Sequence, residues 1–158
     1  MVQFLTVTPS SITVLRQTIK AGTPIVILYH MIGCGHCDAI LKANPYTGER
    51  GAWQVAREKM RGARGNVLIA EVESGNRGIL PTHMQAVNGF PAIIAYGSNT
   101  AVEYNGDRSP ASFVAFISKF TIPNKRPAPV RPVIKPVVKP APKKKTAVLA
   151  AAPKKKRI

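Results

Sequence analysis

The chain has 158 residues, enough for one domain of ordinary size plus an appendage. Its formal charge of +16 is unevenly placed: residues 121–158 hold 12 Lys or Arg and no acid, while the other 11 basic and 7 acidic residues leave positions 1–120 at +4. Two cysteines are too few for a secreted disulfide framework, and the longest apolar run, "IVILYHMI" (25–32), is too short to span a bilayer.

The opening "MVQFLTVTPSSITVL" lacks the basic start, continuous apolar stretch and small-residue cleavage site of a secretory leader. The expectation is therefore a soluble intracellular protein with no membrane span. Its domain is placed at residues 1–120 and a separate tail at 121–158.

In chain order, "VQFLTV" (2–7) reads as a short strand ended by Thr8-Pro9. Ile12, Leu15 and Ile19 recur at helical spacing, with Ser10 or Ser11 as N-cap and Gly22 as stop. "TPIVILYHM" is β-branched, apolar and unbroken, which fits a central strand covered on both faces. "CDAILKAN" continues as a helix limited by Asn44-Pro45, and "GERGAWQVAREKMRG" (48–62) as a second, with Trp53, Ala56 and Met60 on one side. "NVLIAEVE" (66–73) is the next strand, and "NRGILPTHMQAV" (76–87) is weakly helical around Pro81. "FPAIIAYG" (90–97) and "AVEYNG" (101–106) form a hairpin around Ser98-Asn99-Thr100. A final helix has Pro110 in its first turn and Phe113, Phe116, Ile117 and Phe120 as its apolar face. Early alternation of strands and helices followed by a hairpin predicts an α/β fold in three layers with a mixed central sheet.

The chemistry sits in "MIGCGHCDAILK" (31–42), which holds both cysteines. At a helix start, the first thiol of a Cys-x-x-Cys meets unpaired N–H groups that stabilise a thiolate. The second lies one turn on. Cys34 would then be the nucleophile, Cys37 the resolving thiol, and His36 between them a cation or donor that favours the dithiol. Two other readings remain open at this point. A structural or vestigial clip needs only the spacing. Zinc needs two ligands more, and only His30, His36 and His83 are available, so neither a metal nor any other cofactor is expected. His30 reads as a packed core histidine and His83 as a surface residue. Tyr29 and Phe90 are expected beneath the cysteine loop.

Apolar strand, "CGHC", helix, strand, helix, "GFP", hairpin and amphipathic helix follow one another in the order of the thioredoxin fold, and "CGHC" resembles the dithiol of protein disulfide isomerase domains. The resemblance covers roughly residues 1–120 and includes "YNGDRSPASFVAFI" as closing strand, turn and helix. It implies a cis Pro91 opposite the cysteines, with Gly33, Gly35, Phe90 and Pro91 meeting the substrate, and protein thiols or disulfides as partners. There are departures from the family pattern. Gly33 stands where the family usually has tryptophan. Leu28 stands in place of a buried acid that serves the resolving thiol, so deprotonation of Cys37 is expected to be slow. The stretch from Tyr46 to Met60 is longer than the usual linker.

The tail has prolines at 123, 127, 129, 132, 136, 140, 142 and 153 and reads as extended, or disordered unless bound. Arg131, Lys135, Lys139 and Lys143 recur every fourth residue, followed by Lys144, Lys145, Lys154, Lys155, Lys156 and Arg157. Such a segment suits nucleic acid or another polyanion, but without an aromatic residue it offers no base stacking. "PKKKRI" (153–158) resembles a nuclear import signal, and the "PAPK" composition resembles tails of virion proteins of large DNA viruses. Two further readings follow from the tail: a structural virion or minor capsid component whose tail staples neighbouring subunits, and a nucleic-acid packaging protein.

Overall fold

The computed structural model describes residues 1–97 and 100–122. The tail, with every candidate cation from Arg131 to Arg157, lies outside the described residues, as do Ser98 and Asn99 of the expected hairpin loop.

The elements run β1 (Val2–Val7), α1 (Ile12–Lys20), β2 (Ile25–His30), α2 (Gly35–Leu41), α3 (Ala52–Met60), β3 (Val67–Glu73), two 3₁₀ segments (Ser74–Ile79 and Thr82–Met84), β4 (Ala92–Tyr96), β5 (Ala101–Glu103) and α4 (Pro110–Lys119). The sheet order is β1-β3-β2-β4-β5. The first three strands are parallel and the last two pairings antiparallel, which is the mixed sheet that the alternation predicts.

Strand residues alternate between two cores. On one face Val26 and Leu28 of β2, Val67 and Ile69 of β3, and Ile93 and Ala95 of β4 pack with Ile40, Trp53, Ala56, Met60, Phe113, Phe116 and Ile117 from α2, α3 and α4. On the other, Ile25, Ile27 and Tyr29 pack with Leu68, Ala70 and Val72 of β3, Leu15 of α1, and Leu80 and Met84 of the 3₁₀ region. This is a thioredoxin-like α/β fold of three layers. Because both faces of β2 are covered, its sequence is apolar at consecutive positions rather than at every second one.

Local chemistry shifts several boundaries. Ser11 occupies the N-cap of α1, but its hydroxyl donates to the Thr6 carbonyl at 2.8 Å and does not cap the helix. The helix expected from residue 48 begins only at Ala52. Residues 44–49 close on Asn44 instead: its side chain accepts from the Tyr46 and Thr47 N–H groups at 2.9 and 3.2 Å, and its carbonyl accepts from the Gly48 N–H at 2.8 Å. Gly51 at the α3 N-cap is buried, and a Cβ there would stand 2.5 Å from the Ile40 carbonyl oxygen, so only glycine lets the chain turn so close to α2. The weakly helical stretch after β3 consists of the two 3₁₀ segments. Past Phe120 the fold continues to Ile122, which bridges Asn66 just before β3.

Candidate dithiol site

β2 delivers the chain to the cysteines at the C-terminal end of the parallel strands. Met31 and Ile32, which follow it, are 42 % and 80 % exposed. Gly33 has φ +79°, a left-handed conformation that other residues adopt at a cost, although nothing lies within 4 Å of a Cβ placed there. The backbone, not lack of space, disfavours a larger residue at this position. That gives the absence of tryptophan a local physical reason.

Cys34 is the N-cap of α2, and its sulfur accepts from the Cys37 N–H at 3.3 Å. Both cysteines are free thiols; Cys34 is half-buried and Cys37 fully buried. They are driven apart in acidity. The Cys37 thiol, then the Cys37 and His36 N–H groups, hold Cys34 below the ordinary thiol value. Burial, with the Cys34 contact added, pushes Cys37 up to about 11. His36 itself is exposed, and the group it turns to Cys34 is its backbone N–H. Across the site the Phe90–Pro91 peptide is cis, and the Phe90 carbonyl oxygen lies 3.8 Å from the Cys34 sulfur, in position to accept from its thiol.

The surroundings correct one expectation. His30 is not a core histidine: it ends β2 half-buried, in register with Glu73 of β3. Tyr29 is fully buried. Its hydroxyl donates to the Met84 carbonyl at 2.8 Å and lies 2.8 Å from the Tyr96 hydroxyl, fixing β2 to the 3₁₀ region and β4. His83 is exposed, as a surface residue should be.

Two acidic residues carry roles that no sequence signal marked. The Glu73 carboxylate accepts from the Ser74 hydroxyl at 2.6 Å and the Gly75 N–H at 2.7 Å. These bonds hold its carboxyl below the usual range. Glu71 is the register partner of Leu28. It accepts from the Trp53 indole at 2.9 Å and pairs with the Arg57 guanidinium. Leu28 itself is fully buried in hydrocarbon. Among the described residues no three His, Cys, Asp or Glu side chains gather to hold a metal ion, and no helix is long and apolar enough to cross a membrane.

The chain has counterparts among known proteins. A segment of 108 residues is 29 % identical to protein disulfide-isomerase of Drosophila melanogaster, covering 68 % of this chain and 20 % of that protein. This is a thioredoxin-like domain similar to those of protein disulfide-isomerase. A second relative, DnaJ homolog subfamily C member 10 of Mus musculus, is 30 % identical over 113 residues, 68 % of this chain and 13 % of that protein. The chain thus matches only one domain's worth of much longer relatives. Among solved structures, the J-Trx1 fragment of ERdj5 superposes with a TM-score of 0.55 at 26 % identity, over 73 % of this chain and 50 % of that one. The first thioredoxin domain of mouse protein disulfide-isomerase A4 superposes with a TM-score of 0.56 over 80 % and 81 % of the two chains; at 17 % identity it speaks for the fold alone. No protein-family model matches the chain.

Proposed function

We propose that the domain is a thiol–disulfide oxidoreductase acting on protein thiols or disulfides. The observation that carries this reading is the opposed acidity of its two thiols: Cys34 is lowered and reachable, Cys37 raised and buried. In reduction, the Cys34 thiolate attacks one sulfur of a substrate disulfide. The substrate S–S bond breaks, its other sulfur leaves as a thiolate and takes a proton, and a mixed disulfide remains on Cys34. Cys37 then loses its proton and attacks the Cys34 sulfur, releasing the second substrate thiol. The substrate gains two electrons and the pair becomes the Cys34–Cys37 disulfide; the reverse sequence oxidises a substrate dithiol. The Phe90 carbonyl oxygen faces the attacking sulfur, Gly33 and Gly35 are the neighbours of Cys34 in the chain, Pro91 follows Phe90, and the His36 N–H supports the thiolate.

The test is insulin reduction with Cys34→Ser and Cys37→Ser. The first variant should lose exchange altogether and the second should accumulate mixed disulfides; unaltered reduction by the Cys34 variant would sink the reading. Thiol trapping in glutathione buffers should show reversible titration between about −270 and −120 mV. A pair still oxidised below about −300 mV would be a structural clip instead.

A second function is favoured by the 12 basic residues without an acid in 121–158: tethering to nucleic acid or another polyanion through phosphate contacts. Duplex-DNA binding by the full chain should weaken steeply with salt, and alanine in place of Lys143, Lys144, Lys145, Lys154, Lys155 and Lys156 should flatten that slope. An unchanged slope would rule the tether out. No feature of the described residues or of the relatives favours a virion, capsid or nuclear role, and none is proposed.

A further inference from the structure

Asparagine precedes glycine at two positions, Asn88–Gly89 and Asn105–Gly106, and both pairs are exposed. Such a pair carries its own reactants. The asparagine side-chain amide is one ring closure from the next backbone nitrogen, and glycine has no side chain to block the approach. We propose that Asn88–Gly89 is a self-modifying site, and that the carboxylate formed there lowers the reactivity of Cys34. The inference goes beyond the exchange reading and does not depend on it: its readouts are the fate of Asn88 and the reactivity of one thiol.

The chemistry needs only water. The Gly89 nitrogen gives up its proton and attacks the Asn88 side-chain carbonyl carbon, forming a new C–N bond. The bond to the amide nitrogen breaks, and that nitrogen leaves as ammonia with the proton. A cyclic succinimide remains, which water opens at either carbonyl. Opening at the side-chain carbonyl leaves aspartate; opening at the main-chain carbonyl leaves an isoaspartyl link with an extra backbone carbon. Either product carries a carboxylate, and no electrons change hands.

The fold treats the two pairs differently. Around Asn105–Gly106 the turn is pinned. The Tyr104 ring lies against Gly106, where a Cβ would stand 2.6 Å from the ring's Cζ, and the Tyr104 hydroxyl donates to the Asp107 carbonyl. The Asp107 carboxylate in turn accepts from the Ser109 N–H and the Ser112 hydroxyl, both at 2.8 Å. Among the described residues, no backbone hydrogen bond holds 86–89, and a Cβ on Gly89 would meet nothing within 4 Å. The Gly89 nitrogen thus lacks the restraints that hold its counterpart away from ring closure.

The position of the site gives its product an effect. Asn88 is two residues before Phe90, whose carbonyl oxygen lies 3.8 Å from the Cys34 sulfur. Two residues of chain span at most about 7 Å, so a carboxylate at position 88 stands on the order of 10 Å from that sulfur, close to the Debye length. A like charge there disfavours the attacking thiolate. It also offsets the Arg77 guanidinium, which stands over the Phe90 ring at 6.0 Å and has no carboxylate partner among the described residues.

The test incubates the full chain with reductant in mildly alkaline buffer and follows both asparagines by peptide mapping, with isoaspartate-specific methylation as a second label. Asn88 should convert at least about fivefold faster than Asn105, the factor that one hydrogen bond of restraint is worth. Equal rates, faster conversion of Asn105, or conversion of neither overturns the site. The acidic fraction, separated by ion exchange, should react with iodoacetamide at Cys34 about twofold more slowly than the unmodified chain. Asn88→Asp carries the charge without the extra backbone carbon and should be slowed from the start. Asn88→Gln, whose longer side chain closes the ring poorly, should keep its Cys34 rate through the same incubation. An acidic fraction or an Asn88→Asp variant as reactive as the unmodified chain overturns the link to Cys34, as does equal slowing of Asn88→Gln.

Discussion

The dithiol loop and the interior at Leu28 and Glu71 are neighbours along β2 and β3, yet they handle charge in opposite ways. In the loop, a developing negative charge on Cys34 is met by backbone N–H groups and by the partner thiol, with no counter-ion committed to it among the described residues. In the interior one carboxylate oxygen of Glu71 takes both the Trp53 indole and the Arg57 guanidinium, and the adjacent β2 position is hydrocarbon. The chain is thus prepared for the first step of exchange, formation of the attacking thiolate. No free acid or base sits at Leu28 to help the second, deprotonation of Cys37. The contrast teaches that attack and resolution are separately tuned.

The largest effect that would sharpen this contrast is in thiol reactivity. With Cys37 at about 11, its thiolate is about one part in ten thousand at pH 7, against a few per cent or more for a thiol at or below the ordinary value. Iodoacetamide should therefore alkylate Cys34 at least about a hundredfold faster than Cys37, as read by mass spectrometry of reduced protein. Because burial is the largest cause of the rise and persists when Cys34 is tied up, resolution of a trapped mixed disulfide should accelerate with pH through the neutral and alkaline range. Equal labelling of the two thiols at pH 7 would break the comparison.

Next comes the interior. Trp53→Ala removes a fully buried side chain that stacks edge-on against Phe113 at 5.7 Å and donates to Glu71. It should cost about 3–5 kcal/mol in denaturant unfolding. Glu71→Gln leaves a partly buried Arg57 without its charge partner and should cost about 1–3 kcal/mol. Its effect on the Cys34 alkylation rate should be small; a large change would mean that interior and loop are electrically coupled after all. Smallest is Gly33→Ala, where the left-handed backbone should cost about 1 kcal/mol, with no steric clash to add to it. A loss well beyond that would show that the loop depends on more than backbone conformation.

Much of this was legible in the sequence because it depends on local pattern. An unbroken "IVILYH" fits a strand covered on both faces, and a Cys-x-x-Cys directly after it, at the head of a helix, places both thiols. What was not legible joins residues through space. Arg57, Trp53 and Glu71 meet across α3 and β3, and nothing in the spacing of positions 53, 57 and 71 announces it. Glu73 reads as the polar end of a strand until its carboxylate is seen to accept from both Ser74 and Gly75. His30 was misplaced because its apolar neighbours suggested burial, whereas the last residue of a strand escapes the layers above and below it. The late start of α3 reflects turn chemistry at Asn44, whose side chain competes with helix hydrogen bonding for the following N–H groups.

The pairing of Ile122 with Asn66 has a mechanical meaning. Two backbone hydrogen bonds, Asn66 N–H to Ile122 at 2.8 Å and Ile122 N–H to Asn66 at 3.2 Å, fasten the end of the described chain just ahead of β3. β3 is itself clamped between β1 and β2. A pull on whatever follows Ile122 would load that two-bond clasp first and the middle of the sheet second. It would reach α2 and its thiols, at the other end of the strands, last.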